Sequence, residues 1–315
     1  MAVDLAVDLC GVRLKNPVLM ASGILGVGRD LLLRIARGGA GGVLPKSCCL
    51  EPRAGHPNPT VLDYGWGVAN AVGLSNPGVE AEIEELRGIR EELAPTRTAL
   101  IASMFEATVE GFGEVAFRLQ ELEPDLIEVN ISCPNTESDL GRMFASEPHS
   151  AAAVVREIKR RVSVPIIMKL SPNVTDIAEI ARACEAEGAD ALACCNTVGP
   201  GMFIDLETGR TILANQVGGL SGPAFKPITV AKVYEVSRAV QIPVVAVGGV
   251  MTGADVIEMV MAGARCVGIG TAAYYRGPEV YGLVVAETAA WLEERGHGSL
   301  AEIQGLAHRE PILRG

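Results

Sequence analysis

V-P-I-I-M-K, residues 164–169, puts a proline immediately before a short unbroken apolar run, and I-P-V-V-A-V at 242–247 repeats the arrangement. Such a run, with no polar alternation, is expected of a strand buried on both faces, as in a parallel sheet covered by helices. Working outward, G-A followed by an apolar run recurs at Gly39-Ala40, Gly188-Ala189 and Gly263-Ala264, each time where a helical pattern gives way to a strand. Glycine at that point is the expected helix C-cap and short αβ loop. Apolar runs near 18, 43, 100, 127, 166, 192, 245 and 268 make eight strands. Helical patterns lie between them, among them 79–93, 150–162, 176–187, 227–239, 253–262 and 278–295. This alternation predicts an α/β fold, a (β/α)8 TIM barrel forming one domain over residues 1–315, with a doubly wound sheet as the alternative architecture. Residues 3–15 alternate weakly and turn at Cys10-Gly11, which predicts a short β-hairpin ahead of the barrel.

A barrel carries its chemistry at the C-terminal ends of its strands. Read off the sequence, those ends are Ser22, Lys46, Ser103, Asn130 with Cys133, Lys169, Asn196 with Thr197, Gly248-Gly249 and Gly270-Thr271, every one polar or glycine. Residues 50–78 and 198–226 are too long to be simple connections, and long loops in compact domains are usually functional. Both, together with 136–148, are expected to be walls or lids of a pocket.

The most informative strand end is D-L-I-E-V-N-I-S-C-P-N, residues 125–135. A buried strand ends there on an amide, a hydroxyl, a thiol, a proline and a second amide. Asn130 and Asn135 can each donate and accept, so they can hold the edge of a planar substrate, and Cys133 can ionise near neutral pH if its pKa is lowered. A lone cysteine at a strand end is more often buried filler. The flanking amides favour a reaction site, since so many hydrogen-bonding groups on one turn need a reason.

Composition narrows the class. The 315 residues are 49% hydrophobic and 21% charged, with 36 glycines, and the net charge of -11 with pI near 5.0 argues against a nucleic-acid surface. No apolar run approaches the ~18 residues of a membrane span and no basic region opens the chain, so a cytoplasmic protein that does not enter the membrane is expected. The eight cysteines contain no C-x-x-C and no zinc or iron–sulfur spacing, so no metal site is expected and the thiols are read as reduced.

V-G-G-V-M-T-G-A-D at 247–255 and G-I-G-T at 268–271 end the last two strands, where barrels commonly hold phosphate on loop N–H groups. Glycines serve plain tight turns too. G-I-G-T-A-A resembles a dinucleotide fingerprint, but no further βαβ unit fits behind it, which argues against nicotinamide binding. Lys46 and Lys169 are open to several readings: Schiff-base former, anion clamp, flavin-tuning charge or solvated side chain.

Taken in order, K-S at Lys46, E-P-R at Glu51, N-A-V-G-L-S-N-P-G at Asn70, N-I-S-C-P-N at Asn130, K-L-S-P-N at Lys169, N-T at Asn196, G-G-L-S-G-P-A at Gly218, G-G-V at Gly248 and G-T at Gly270 resemble the class 1 dihydroorotate dehydrogenases over nearly the whole chain. The chain is most similar to the class 1B catalytic subunits. The resemblance implies FMN, with its phosphate on Gly248, Gly249, Gly270 and Thr271. Its ring is implied near Ser22, Lys46, Ser47, Ser103, Asn130, Lys169, Cys195 and Gly222. Dihydroorotate or orotate is implied against Lys46, Asn70, Ala71, Val72, Gly73, Leu74, Asn130, Asn135, Asn196 and Thr197, with Cys133 as the base. It further implies a homodimer of this chain and a separate electron-transfer subunit carrying FAD and a [2Fe-2S] cluster that delivers to NAD.

Class 2 enzymes are less similar, having serine in place of Cys133 and a membrane-directed extension. Within the resemblance, His56 replaces the usual asparagine of G-N-P, Thr60 stands where an arginine often ends the loop, Ser103 replaces a common asparagine, and the segment after Asn135 lacks the glycine-rich form. Three other activities compete. One is a class 1A-like enzyme reoxidised by fumarate, and another is a dihydropyrimidine dehydrogenase-like subunit acting on uracil. The third is a phosphosugar lyase or aldolase using Lys46 or Lys169 as a Schiff base. A non-catalytic scaffold barrel is the remaining reading.

Overall fold

The computed structural model describes residues 3–25, 28–132 and 144–309. The expected hairpin is present as β1 (Val7–Leu9) and β2 (Val12–Leu14). Cys10 and Gly11 take φ values of 56° and 82°, the pair of left-handed residues that a tight hairpin turn requires. Leu9 and Leu14 are buried, and Cys10 Sγ donates to the Asp190 carbonyl at 3.2 Å, just ahead of a barrel strand. The hairpin therefore covers the N-terminal end of the barrel.

The chain continues through β3 (Val18–Met20), β4 (Gly42–Val43), β5 (Val61–Asp63), β6 (Val68–Asn70), β7 (Ala99–Met104) and β8 (Leu126–Asn130). After these come β9 (Ile166–Lys169), β10 (Ala191–Cys194), β11 (Val198–Met202), β12 (Val217–Ser221), β13 (Val244–Val247) and β14 (Cys266–Ile269). Strands β3, β4, β7, β8, β9, β10, β13 and β14 pair in parallel in that order, and β14 closes on β3. These are the eight apolar runs of the sequence, and the sheet is a closed barrel, not a doubly wound one.

Helices α1 (Arg29–Arg37), α2 (Val79–Leu86), α3 (Ile89–Leu93), α4 (Val109–Leu119) and α5 (Pro148–Arg161) surround the first half of the barrel. Helices α6 (Ile177–Ala186), α7 (Lys226–Ala239), α8 (Gly253–Met261), α9 (Thr271–Arg276) and α10 (Val280–Glu294) surround the second. Their starts are marked chemically. Thr108 accepts from Gly111 N, Asp176 accepts from Glu179 N, and Thr252 with Asp255 forms a capping box, each satisfying N–H groups that the first turn leaves free. One expected helix is divided, since 79–93 breaks ahead of Gly88 (φ 74°), whereas the pattern at 278–295 is a single helix, α10, with the separate short α9 ending before Gly277 (φ 77°) ahead of it. The apolar periodicity runs on across the break, which is why the sequence reads as one helix there.

The two long segments expected as loop walls contain regular structure. Residues 61–70 and 198–221 supply a four-stranded antiparallel sheet, ordered β11-β12-β6-β5, over the C-terminal mouth of the barrel. Its strands are short, β11 and β12 carry glycine, and β6 pairs with β12 from about 150 positions away in the chain, Asn70 opposite Gly219. Among the described residues no helix is long and apolar enough to cross a membrane.

Candidate active site

A cavity of about 290 Å³ opens at the C-terminal end of the barrel under the antiparallel sheet. Parallel register sets its floor: Asn130 lies beside Lys169, and Lys169 beside Ala193 just before Cys195, Asn196 and Thr197. Ser22, Lys46, Ser47, Asn130, Lys169, Cys195, Gly222, Gly248, Gly249, Gly270 and Thr271 all line it, as do Asn70, Val72, Gly73, Leu74, Asn196 and Thr197. Two of the expected residues are set back. Ser103 is buried one layer deeper, its Oγ 2.8 Å from Ser47 Oγ and 3.3 Å from Glu128 Oε1. Ala71 packs behind the wall with Ala69 and Leu213. Cys133 and Asn135, with 136–143 of the expected lid, lie outside the described residues.

On one side, amides form a network. Asn196 Nδ2 donates to Ser132 Oγ at 3.0 Å and to Asn130 Oδ1 at 3.3 Å, and Ser132 Oγ donates to the same Asn130 oxygen at 3.2 Å. Asn173, which the sequence reading left without a role, braces this side: its Nδ2 donates to the Thr197 carbonyl at 3.1 Å and its Oδ1 accepts from Gly199 N at 3.0 Å.

The 70–74 wall is held from behind. Arg53 Nε donates to the Gly73 carbonyl at 2.8 Å, His56 Nδ1 to the Ala71 carbonyl at 3.0 Å and Asn76 Nδ2 to the Leu74 carbonyl at 2.9 Å. Leu74 is thereby fixed at φ 58°, a left-handed conformation that a branched side chain avoids without such support. The histidine in G-H-P thus has a structural task here. Thr60 acts through its backbone, its carbonyl accepting from Ala71 N at 2.7 Å.

Elsewhere in the lining, glycine lets the backbone pack closely against neighbouring residues. Gly248 and Gly249 take φ values of 141° and 76°, and a Cβ on Gly249 would fall 2.5 Å from Lys226 Cβ. Thr271 Oγ1 donates to Ser221 Oγ at 2.8 Å, joining the end of β14 to the covering sheet. Gly23 serves Lys46 in the same way, since a Cβ there would lie 2.8 Å from Lys46 Nζ. Beside Cys195, Cys194 has its Sγ 2.9 Å from the neighbouring sulfur, and burial pushes its thiol well above the ordinary range, so it stays protonated.

A residue that the sequence reading took for part of an apolar strand joins the floor from below. Glu128 is 3% exposed, and its Oε1 accepts from Ser22 Oγ at 2.8 Å and from Lys169 Nζ at 3.2 Å. A glutamate inside an otherwise apolar strand was the available signal.

Fold and site together define a parallel (β/α)8 barrel whose last two strand ends form a glycine cradle facing a floor of amides and ammonium groups. The chain belongs to the dihydroorotate dehydrogenase family, whose model matches residues 4–292. It is 46% identical over 304 residues to a protein of Methanothermobacter thermautotrophicus named dihydroorotate dehydrogenase B (NAD(+)), catalytic subunit, covering 96% of this chain and 98% of that one. Proteins of the same name from Methanocaldococcus jannaschii and Desulforudis audaxviator are each 43% identical, covering 96% and 98% of this chain and 98% and 99% of their own. Among solved structures, DHODH of Eimeria tenella in complex with ferulenol superposes with a TM-score of 0.85 at 22% identity, over 98% of this chain and 89% of that one. That likeness speaks for the fold.

Proposed function

We propose that the chain oxidises dihydroorotate to orotate with FMN, as the catalytic subunit of an NAD-linked enzyme of pyrimidine synthesis. The observation that carries the reading is the meeting, in one cavity, of the 248–249 and 270–271 cradle with Lys46, Lys169 and the amides of Asn70, Asn130 and Asn196.

The residues present fit FMN. Gly248, Gly249 and Gly270 line the cavity at the ends of the last two strands, where loop N–H groups commonly hold phosphate, and Thr271 adds a hydroxyl. Ser22, Lys46, Ser47, Asn130, Lys169, Cys195 and Gly222 line the remaining length of the cavity, where a flat ring system finds both amide and ammonium donors. FMN, when bound, supplies the hydride acceptor. Removing hydrogen across a C–C bond next to a carbonyl also requires a base for the proton on the adjacent carbon. Cys133 is assigned that task, with Asn130, Asn135, Asn196, Thr197 and the 70–74 wall orienting the planar substrate. Lys46 offers a charge to the carboxylate that distinguishes dihydroorotate from uracil.

Electrons leave through a partner in this reading, a subunit carrying FAD and a [2Fe-2S] cluster that passes them to NAD and docks on a homodimer of catalytic chains. The relatives' shared name, with its NAD and its catalytic subunit, supports a partner. The test is reconstitution. The purified chain should take up FMN, bleach with dihydroorotate, and reduce NAD only after the FAD/iron–sulfur subunit is added. Sustained fumarate-dependent orotate formation by the isolated chain would overturn the partner assignment, and failure to bind FMN would overturn the whole reading.

A further inference from the structure

Glu128 sits on β8 and is itself buried, on the strand face opposite to that of its neighbours Ile127 and Val129, so its carboxylate is held away from water. A carboxylate in that position is costly unless it is paired and hydrogen-bonded. Its partners come from three other strands of the barrel: Ser22 after β3, Ser103 on β7 and Lys169 at the end of β9, at 2.8, 3.3 and 3.2 Å from the one oxygen Oε1. Glu128 does not itself line the cavity, whereas Ser22 and Lys169 do. It is therefore placed to act on a ligand through them and not by contact.

We propose that Glu128 is a positioning residue for the cofactor: it clamps the Lys169 ammonium at the cavity floor and tempers its charge, and so sets how strongly the site prefers reduced over oxidised FMN. The inference rests on the FMN reading above. An uncompensated ammonium would stabilise the electron-rich reduced form, and a carboxylate 3.2 Å behind it cancels much of that field. The geometry also fixes the direction of Lys169. Ser22 donates to Glu128 at 2.8 Å and accepts from Lys169 Nζ at 3.2 Å, so hydroxyl and carboxylate lie side by side and draw the ammonium toward one point.

The experiment compares the midpoint potential of bound FMN in the wild-type chain, Glu128→Gln, Lys169→Met and the double variant, all at one pH. Glu128→Gln should raise the preference for reduced FMN about tenfold, which is ~30 mV for a two-electron couple. Lys169→Met should lower it, and adding Glu128→Gln to Lys169→Met should change it by less than about threefold, ~14 mV. A Glu128→Gln potential equal to wild type, or a shift of the same size with and without Lys169, would overturn the proposal.

Thermal unfolding of the FMN-free chains gives the second readout. Each single substitution strands one buried charge, so the double variant should melt above Glu128→Gln. A double variant melting no higher overturns the clamp even if Glu128→Gln cannot be loaded with FMN. Failure of the wild-type chain to bind FMN would instead sink the functional reading and leave the melting comparison intact.

Discussion

Lys226 Nζ lies 2.7 Å from Asp255 Oδ1 and ties the first turn of α7 to the first turn of α8 across the Gly248-Gly249 turn. Asp255 Oδ2 meanwhile accepts from Met251 N at 2.9 Å and Thr252 N at 2.8 Å. Burial alone would raise the Asp255 carboxyl, but the Lys226 bond and these N–H groups outweigh it and hold it below the ordinary value of 3.8. With the folded value below the unfolded one, its stabilisation is present above that value and is lost as pH falls through the folded one. Asp255→Ala should cost roughly 1–3 kcal/mol at neutral pH, from the lost cap and charged hydrogen bonds. The difference from wild type should shrink in acid. Urea unfolding at both ends of that range checks it, and a deficit independent of pH would show that the carboxylate charge is not what stabilises the turn.

Gly249 holds a left-handed backbone against Lys226, so Gly249→Ala meets both strain, about 1–3 kcal/mol, and a collision. If the cradle binds the FMN phosphate, affinity for FMN should fall at least about tenfold, equivalent to roughly 1.4 kcal/mol. Flavin fluorescence titration measures it. Wild-type affinity in a folded variant would move the phosphate elsewhere.

Asn173 bonds the backbone on both sides of Val198 and holds Thr197 in place. Losing two hydrogen bonds of about 0.5–1.5 kcal/mol each, Asn173→Ala should raise KM for dihydroorotate about tenfold with FMN affinity unchanged. Steady-state kinetics with matched flavin titrations separate the two; equal losses in both would point to general loosening of the barrel mouth.

Cys133→Ser should keep FMN yet slow flavin reduction by dihydroorotate about 10²–10⁴-fold at neutral pH, because an alcohol is a far weaker base than a thiolate. The rate should recover as pH rises. Rapid mixing of the variant with substrate decides it, and a wild-type rate at pH 7 would remove Cys133 from proton transfer.

Glu82 faces inward on α2, beside Val79, Ile83 and Leu86, and burial, aided by the Glu85 charge, pushes its carboxyl up to about 7. A raised value means the folded state holds the proton longer than the unfolded state, so this residue erodes stability as pH climbs from its ordinary value toward 7. Glu82→Gln should therefore stabilise the chain by about 1–3 kcal/mol at pH 8 and change little at pH 4.5. Thermal melts at the two values would refute this if the gain were the same at both.

The barrel was readable because its signals are local. Runs such as I-I-M-K and V-V-A-V need no partner to announce a strand buried on both faces, and glycines at 39, 188 and 263 mark helix ends by backbone freedom alone. Alternation of such units then leaves few topologies, and the strand ends follow, with Ser22, Lys46, Asn130, Lys169 and Asn196 already on them. Ser103 is at the end of β7 as expected yet lies behind the cavity lining, because the strand-end rule says which end of a strand is chemical and not how deep a given side chain sits.

What the sequence by itself determined is thus the order of strands and helices and the identity of the groups at the barrel mouth, since both are written within a few residues of where they act. Only the tertiary structure decided how distant groups meet. The pairing of β6 with β12 joins segments about 150 positions apart through strands of three and five residues, too short to carry a periodicity that can be read. Glu128 likewise looks from the sequence like a charge stranded in an apolar run. Its meaning appears when the barrel closes and brings Ser22, Ser103 and Lys169 to a single oxygen, because desolvation and pairing are properties of the space around a group and not of its neighbours in the chain.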